Sequence, residues 1–413
     1  MKVSKIVVTV EEATDIILNS IIQLKGERVS ILDATKRVLF EDIISSINIP
    51  LLDNSAMDGY AIIAADTIGS NRERPVKLPV LGEVQAGGDH QGIRISSGSV
   101  IRIMTGAPIP KSADAVVQFE DTCEEDGIVS IYREVKKGEN IRLAGEDIRK
   151  GGLILQSGHL LRSADIGILA SLNYQEVMLY RRPEVAIIST GDEIVDIGEV
   201  LHPGQIRNSN SYTLYSEIKR YNTIPHYLGI ARDDIDETKE KLNQAFKYDV
   251  IITTGGVSMG RYDFVKDVMI DLGVDIKFES IRMKPGKPCI FGIKGHKLFF
   301  GLPGNPVSTM ISFYQFVRPA ILKLMGAERI NIPTVNAILE EGIRKKPDRV
   351  NFIRGHFTIN DGELYVKTTG SQGSGILSSM SRANCIILLP IGIEGVHAGE
   401  RVSIQLIHHE EIE

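Results

Sequence analysis

Apolar and polar positions fall into four textures along the chain. The first opens on a helix. Thr9-x-x-Glu12 has the form of a capping box, and Ile16, Ile17, Leu18, Ile21, Ile22 and Leu24 follow at helical spacing. Gly26 reads as its stop. From about residue 50 to 145, short β-rich runs (VKLPVLGEV, SVIRIMTGAPIP, ADAVVQF, IVSIYREV) alternate with Gly, Pro and Asp turns, which predicts a compact β-rich domain. Helical spacing returns after Ser163 in ADIGILASL. Residues 1–50 and 146–182 therefore read as one split helical domain, with the β-rich domain of 51–145 inserted into it.

Residues 183–326 differ. The runs Val185–Thr190, Val250–Thr254 and Leu298–Phe300 are nearly all apolar, and helical patterns lie at about 209–221, 235–247, 263–272 and 306–325. This alternation predicts an α/β domain whose mostly parallel sheet is covered on both faces. Such sheets bind ligands beyond the carboxyl ends of their strands. Residues 327–413 hold no long helix. Short strands and turns such as Asn360-Asp361-Gly362 predict a C-terminal β-barrel or sandwich. The fold class expected is thus multidomain, α/β plus β.

Composition narrows the function. At roughly 150 residues per domain, 413 residues make about three domains. Lys and Arg number 47 and Asp and Glu 53, a net charge of −6 that argues against a dedicated nucleic-acid binder. Cys123, Cys289 and Cys385 lie far apart, so neither a disulfide framework nor a thiolate zinc site is indicated. No run of 18 apolar residues offers a membrane span, and the first residues lack a signal-peptide stretch. A cytoplasmic location is expected, with neither membrane nor nucleic acid as partner.

Three Gly-rich loops follow the apolar strands: STGDE (Ser189–Glu193), TTGGVSMG (Thr253–Gly260) and GLPGNP (Gly301–Pro306). Glycine lets backbone N–H groups approach an anion, and a following helix N-terminus adds partial positive charge. Ser189, Thr190, Gly191, Thr254, Gly255, Gly256, Ser258, Pro303, Gly304 and Asn305 are the candidate binding residues. No Walker A, G-x-G-x-x-G or His-Glu-x-x-His occurs. Gly256–Gly260 matches the G-x-S-x-G nucleophile elbow, but Ser258 lies four residues past the strand end and no HGGG-type segment precedes it. Lys284-Pro285-Gly286-Lys287-Pro288 presents two lysines on a stiff backbone, to an anion or to solvent. Asp192, Glu193, Asp233, Asp234 and Asp263 sit at loop ends, where carboxylates either cap helices or hold Mg²⁺ against a phosphate.

Ten motifs occur in order: NSAMDGYA, RIMTGAPIP, SADAVV, AGEDI, STGDE, GQIRNSN, TTGGVSMGRYD, MKPGKP, GLPGNP and GSQGSG. Together they resemble the molybdopterin molybdotransferase (MoeA-type) family, to which the gephyrin E domain is similar. The resemblance implies a dimer of four-part protomers: a split helical domain with an inserted β domain, a molybdopterin-binding-like α/β domain and a C-terminal β-barrel. It also implies a reaction. Adenylylated molybdopterin and molybdate, or tungstate, are the substrates, Mg²⁺ assists, and AMP is released. Partners implied are a second copy of the chain, molybdopterin adenylyltransferase and apo-molybdoenzymes. Carried onto matching positions, Glu193, Asp233 and Asp263 fall to the Mg²⁺–phosphate side. Lys284, Lys287, Arg354 and Ser374 face anions, and Asp58 and Asp147 reach across the dimer cleft. Where many relatives carry a further Lys, this chain has Ser280, with Arg282 nearby. The readings set against this one are molybdopterin adenylylation, a pterin-binding scaffold without turnover, and a Ser hydrolase.

Overall fold

A computed structural model of the chain describes residues 6–88, 94–257 and 264–407. The chain forms two compact units. One comprises Met1–Glu41, Ser157–Ile166 and Glu176–Glu413, the other Asp42–Gln156 and Gly167–Gln175.

The first unit is built on β1 (Val7–Val8), α1 (Val10–Asn19), β2 (Glu184–Thr190), α2 (Ser209–Arg220), β3 (Ile224–Ala231), α3 (Ile235–Ala245), β4 (Val250–Thr254), α4 (Val265–Asp271), β5 (Asp275–Ile281), β6 (Pro288–Lys294), β7 (Lys297–Leu302), α5 (Pro306–Ser312) and α6 (Arg318–Leu324). Its seven-stranded sheet runs β1-β5-β6-β7-β4-β2-β3. The pairings β1/β5, β7/β4, β4/β2 and β2/β3 are parallel, and β5/β6 and β6/β7 antiparallel. The apolar strands are buried on both faces. Val185, Ile187, Val250 and Ile252 join one core with residues of α1, α2, α5 and α6. Ala186, Ile188 and Ile251 join another with residues of α3 and α4. Side chains of a strand alternate between faces, so only an all-apolar run satisfies both cores.

Local chemistry sets several boundaries. The capping box forms as expected: the Glu12 N–H donates to Thr9 Oγ1 and the Thr9 N–H to Glu12 Oε2. Gly26 is not the stop. Helix α1 ends at Ser20, whose hydroxyl bonds back to the Ile16 carbonyl. The chain then runs on to give its Leu24 N–H to the Leu324 carbonyl, and Gly26 opens the strand Gly26–Ser30, paired with Glu176–Tyr180. The expected helix over 306–325 is α5 and α6 joined by a π turn, Phe313–Val317. Pro319 cannot donate back along the helix, and the turn before it widens. Strand β3, at the sheet edge, pairs Pro225 with Val185, where a missing N–H can be tolerated.

The same unit ends in β8 (Thr334–Leu339), β9 (Val350–Asn360), β10 (Glu363–Thr368), β11 (Cys385–Leu389) and β12 (Arg401–Leu406). They close in the order β9-β10-β8-β12-β11-β9 into a five-stranded barrel. Its interior holds Leu339, Ile353, Phe357, Val366, Ile387 and Ile404. Met283–Lys284 pairs in parallel with Val350–Asn351 and so ties the Lys-Pro-Gly-Lys-Pro loop to β9.

The second unit carries a six-stranded sheet. Its order is Ala115–Gln118, Gly59–Ile62, Val100–Ile103, Val76–Val84, Ile128–Ile131, Thr122–Glu125. Gly59, in the AMDGYA motif, faces the Val117 backbone. A Cβ there would fall 1.9 Å from the Val117 carbonyl oxygen. Gly59→Ala is therefore expected to destabilise this unit by about 1–3 kcal/mol. A lowered melting temperature and earlier tryptic cleavage within residues 42–156 are the readouts.

Candidate functional site

Register decides where the Gly-rich loops meet. Ser189 on β2 pairs with Thr254 on β4, and Thr254 with Leu302 on β7. Three carboxyl ends thus stand level, and the loops beyond them enclose one cavity of about 410 Å³. Thr190, Gly191, Thr254, Gly255, Gly256, Pro303, Gly304 and Asn305 all line it. Gly255 and Gly256 adopt φ of 92° and 63°. A Cβ on Gly255 would meet the Thr190 carbonyl oxygen at 2.6 Å, and one on Gly256 the Val265 side chain at 2.6 Å. Bare backbone is what this cradle requires. Asn305 holds the N-cap position of α5, yet its side chain caps nothing and lines the cavity. Asn210 lines it too, donating to the Gly304 carbonyl at 2.8 Å. GQIRNSN carried that residue, but its role was not legible before α2 was placed.

Ser189 is not part of this surface. It is 1% exposed, and its hydroxyl bonds Asn208 Oδ1 at 2.8 Å and Ser211 Oγ at 2.7 Å. Its hydroxyl is committed to that buried network rather than to the cavity that Thr190 lines. The network continues outward. Asn208 Nδ2 donates to the Tyr227 hydroxyl at 2.8 Å, and Tyr227 and Tyr212 donate to the Asp196 carboxylate at 2.7 and 2.6 Å. Burial alone would raise the Asp196 pKa, but these hydroxyls outweigh it and hold the group below the ordinary carboxylate range.

Glu193 and Asp233 line the same cavity. The Glu193 carboxylate lies against Gly191, where a Cβ would fall 2.6 Å from Oε2. Asp192 instead serves the loop, accepting the Asp233 N–H at 3.1 Å, and Asp234 caps α3 through the Glu237 N–H. Ser258 and Asp263 lie outside the described residues. No group of three metal-ligating side chains occurs among the described residues. Mg²⁺ commonly takes only one or two protein carboxylates, with water and substrate phosphate completing its shell. Glu193 and Asp233 fit that donor set.

A second cavity, of about 380 Å³, lies against the barrel. Lys284 and Arg354 line it, whereas Lys287 and Ser374 line neither cavity. Lys287 is exposed, and its carbonyl accepts the Ser280 hydroxyl at 3.1 Å. The Ser374 carbonyl accepts the Val307 N–H at 3.1 Å, fastening the barrel loop to the start of α5. Ser280 is 2% exposed and Arg282 exposed, so the arginine does not occupy the serine's surroundings. Gly286, at φ 101°, passes so close to α5 that a Cβ would fall 2.9 Å from Ser312 Oγ. Arg354 is the most unusual group. It is 1% exposed and makes no ion pair with a described carboxylate. Its Nε donates to Ser379 Oγ at 3.0 Å and its Nη2 to the Gly373 carbonyl at 3.0 Å. Burial pushes its pKa down to about 10, so it stays charged at neutral pH.

The remaining candidates lie in the second unit. Asp58 Oδ1 accepts both the N–H and the hydroxyl of Thr105, at 2.7 and 2.8 Å, which lowers its pKa and joins AMDGYA to the MTGAP turn. Asp147 is exposed, in a turn whose N–H bonds the Ile49 carbonyl. The Ala144 N–H of the same motif donates to Asp53 Oδ1 at 2.7 Å.

Fold and site define a multidomain protein in which an α/β domain with a glycine-lined cavity is followed by a closed barrel bordered by a cation-lined cavity. Family profiles agree along the chain. The MoeA N-terminal region (domain I and II) matches residues 8–173, the probable molybdopterin binding domain 186–323, and the MoeA C-terminal region (domain IV) 336–407. The molybdopterin molybdenumtransferase of Haemophilus influenzae is 39% identical over 93% of this chain and 94% of its own. That of Staphylococcus aureus is 32% identical over 98% and 97%. The crystal structure of the molybdopterin biosynthesis moeA protein from Pyrococcus horikoshii superposes with a TM-score of 0.84 at 33% identity, covering 97% of this chain and 100% of that one. The chain belongs to the molybdopterin molybdenumtransferase family.

Two outcomes follow from this geometry. Gly255→Ala should weaken binding of inorganic pyrophosphate at least about tenfold by calorimetry, because the methyl group takes up cradle space and strains a left-handed backbone. Tyr227→Phe should cost about 1 kcal/mol and raise the Asp196 pKa. A depressed carboxylate stabilises the fold above its unfolded value of ~3.9 and loses that contribution as pH falls through the folded value. The acid transition of the variant, followed by near-ultraviolet circular dichroism, should therefore move to higher pH.

Proposed function

We propose that the chain inserts molybdate, or tungstate, into adenylylated molybdopterin and releases AMP, as a transferase of molybdenum cofactor biosynthesis. The observation that carries this reading is the juxtaposition of two unlike cavities in one unit. One has backbone glycines and two carboxylates, the other an unpaired buried cation, and the Lys284–Pro288 loop reaches both: Lys284 and Pro285 line the barrel cavity and Pro288 the glycine cavity.

The chemistry divides accordingly. The phosphoanhydride of the adenylylated pterin lies in the glycine cavity, where backbone N–H groups and the start of α5 meet its charge. Asn305 and Asn210 supply side-chain amides. Glu193 and Asp233 would hold Mg²⁺, with Asp263 as the third acid expected from the resemblance. Bound there, the ion would offset charge on the phosphoanhydride. The barrel cavity takes the tetrahedral oxyanion through Lys284 and Arg354, whose guanidinium offers a planar array of donors. Water cleaves the anhydride, leaving the pterin monophosphate and releasing AMP, while the two dithiolene sulfurs of the pterin displace oxygen from the oxyanion as water, their thiol protons going to that oxygen. Ser189 and Arg354 also act as struts, the first beneath the cradle and the second within the Gly370–Gly375 loop. Asp58 and Asp147 serve the same reaction on this reading, and a homodimer is the assembly proposed. No described helix is long and apolar enough to cross a membrane.

The decisive experiment mixes the protein with adenylylated molybdopterin and Mg²⁺, with or without molybdate or tungstate. Oxyanion-dependent AMP release, with product that reconstitutes an apo-molybdoenzyme, is expected. Tight pterin binding without AMP release would instead mean a scaffold. Asp263→Ala should abolish release while leaving the circular dichroism spectrum intact. Glu193→Gln should raise the Mg²⁺ concentration for half-maximal rate about tenfold or more.

A further inference from the structure

The barrel cavity holds more positive charge than Lys284 and Arg354 provide. The turn Arg344-Lys345-Lys346-Pro347-Asp348-Arg349 leads into β9, and Arg344, Lys345, Lys346 and Arg349 all line the cavity. Against these six cations stands one lining carboxylate, Asp348. This concentration occurs in a chain whose net charge is −6.

The six are not equivalent. Arg349 is paired with Asp348. Lys345 is half-buried, its Nζ donating to the carbonyls of Lys346 and Arg349 at 3.3 and 3.2 Å, and burial lowers its pKa. Arg354 is buried, with two of its three nitrogens spent on neutral oxygens and Nη1 without a partner among the described residues. Arg344 and Lys346 are exposed and make no ion pair among the described residues. Buried cations facing neutral oxygens are costly to keep charged, and an incoming anion relieves that cost. Exposed cations at the mouth of a cleft raise the local concentration of such an anion.

We propose that the 344–349 turn is the capture element for the tetrahedral dianion: Arg344 and Lys346 draw it in from solvent, and Lys345 joins Arg354 in holding it. The inference rests on the reading that an oxyanion is a substrate and names residues for that step. The elements recognised are double negative charge and tetrahedral shape, which sulfate shares with molybdate.

The test uses the full-length chain and the double variant Arg344→Gln/Lys346→Gln, whose exposed positions leave the core untouched. Binding of radiolabelled molybdate is measured by equilibrium dialysis at about 20 mM and about 200 mM salt. The variant should bind about tenfold more weakly at low salt, within the range for focused fields, and the gap should close at high salt. Sulfate should displace molybdate from the unmodified protein. In turnover, KM for molybdate should rise while KM for adenylylated molybdopterin moves less than twofold. Equal dialysis curves for the two proteins, failure of sulfate to compete, or a rise in the pterin KM alone would each overturn the proposal. Dialysis decides it without turnover, so absence of AMP release by the unmodified protein would defeat the transferase reading separately.

Discussion

Pairing Ser189 with Thr254 and Thr254 with Leu302 sets three strand ends level, and the rest of the site depends on that. A slip of one residue in a strand would exchange its two core faces, taking Ile187 and Ile252 out of one core and Ile188 and Ile251 out of the other. Both cores therefore lock the register. With the ends fixed, Gly255 and Gly256 must turn immediately, because the Thr190 backbone and the Val265 side chain leave no room for a Cβ. The cradle follows from how strands pack rather than from a loop that happens to be flexible.

Charge is sorted by the same scaffold. The carboxylates of Glu193 and Asp233 stand at the glycine cavity, and the unpaired cation of Arg354 at the barrel cavity. The loop between them is held at both ends: Lys284 pairs with Asn351 on β9, and Ser280 bonds the Lys287 carbonyl. Gly286 lets the loop lie directly on α5. Two prolines and these anchors leave the loop little freedom, so the backbone that carries Lys284 is fixed in advance.

The sequence made the central strands legible because they are apolar at every position, a pattern that only a two-faced sheet needs. The three glycine loops were legible as a set for the same reason. Strand β3 was legible only as the strand that Asp233 and Asp234 follow; its extent was not, because Pro225 and Gly229 interrupt it, which an edge strand tolerates and a central one does not. Strands β5 and β6 were legible only as the flanks of the Lys-Pro-Gly-Lys-Pro turn, which does not give their extents. Ser189 looked like its neighbours in the Gly-rich loop, yet its hydroxyl is buried against Asn208 and Ser211. Lys287 and Ser374 sat in basic and Gly-rich motifs, but among the described residues it is their backbone carbonyls that bond neighbours. The four cations within Arg344–Arg349 went unremarked, because nothing in the linear order placed them beside Arg354.

Separating the two charge signs is a physical requirement of the chemistry. Were Glu193 beside Arg354, the pair would neutralise each other, and each would lose its use for a substrate of opposite sign. Arg354 instead satisfies most of its donors with Ser379 and loop carbonyls, which orient the guanidinium without cancelling its charge. Burial lowers its pKa, the mark of a desolvation cost carried in the free protein. That cost is the counterpart of preorganisation: donors fixed in advance need not reorganise when charge arrives. On the proposed reading, in which an anhydride and a second anion are held side by side, such uncompensated groups are required, and the strand that carries Arg354 keeps it buried.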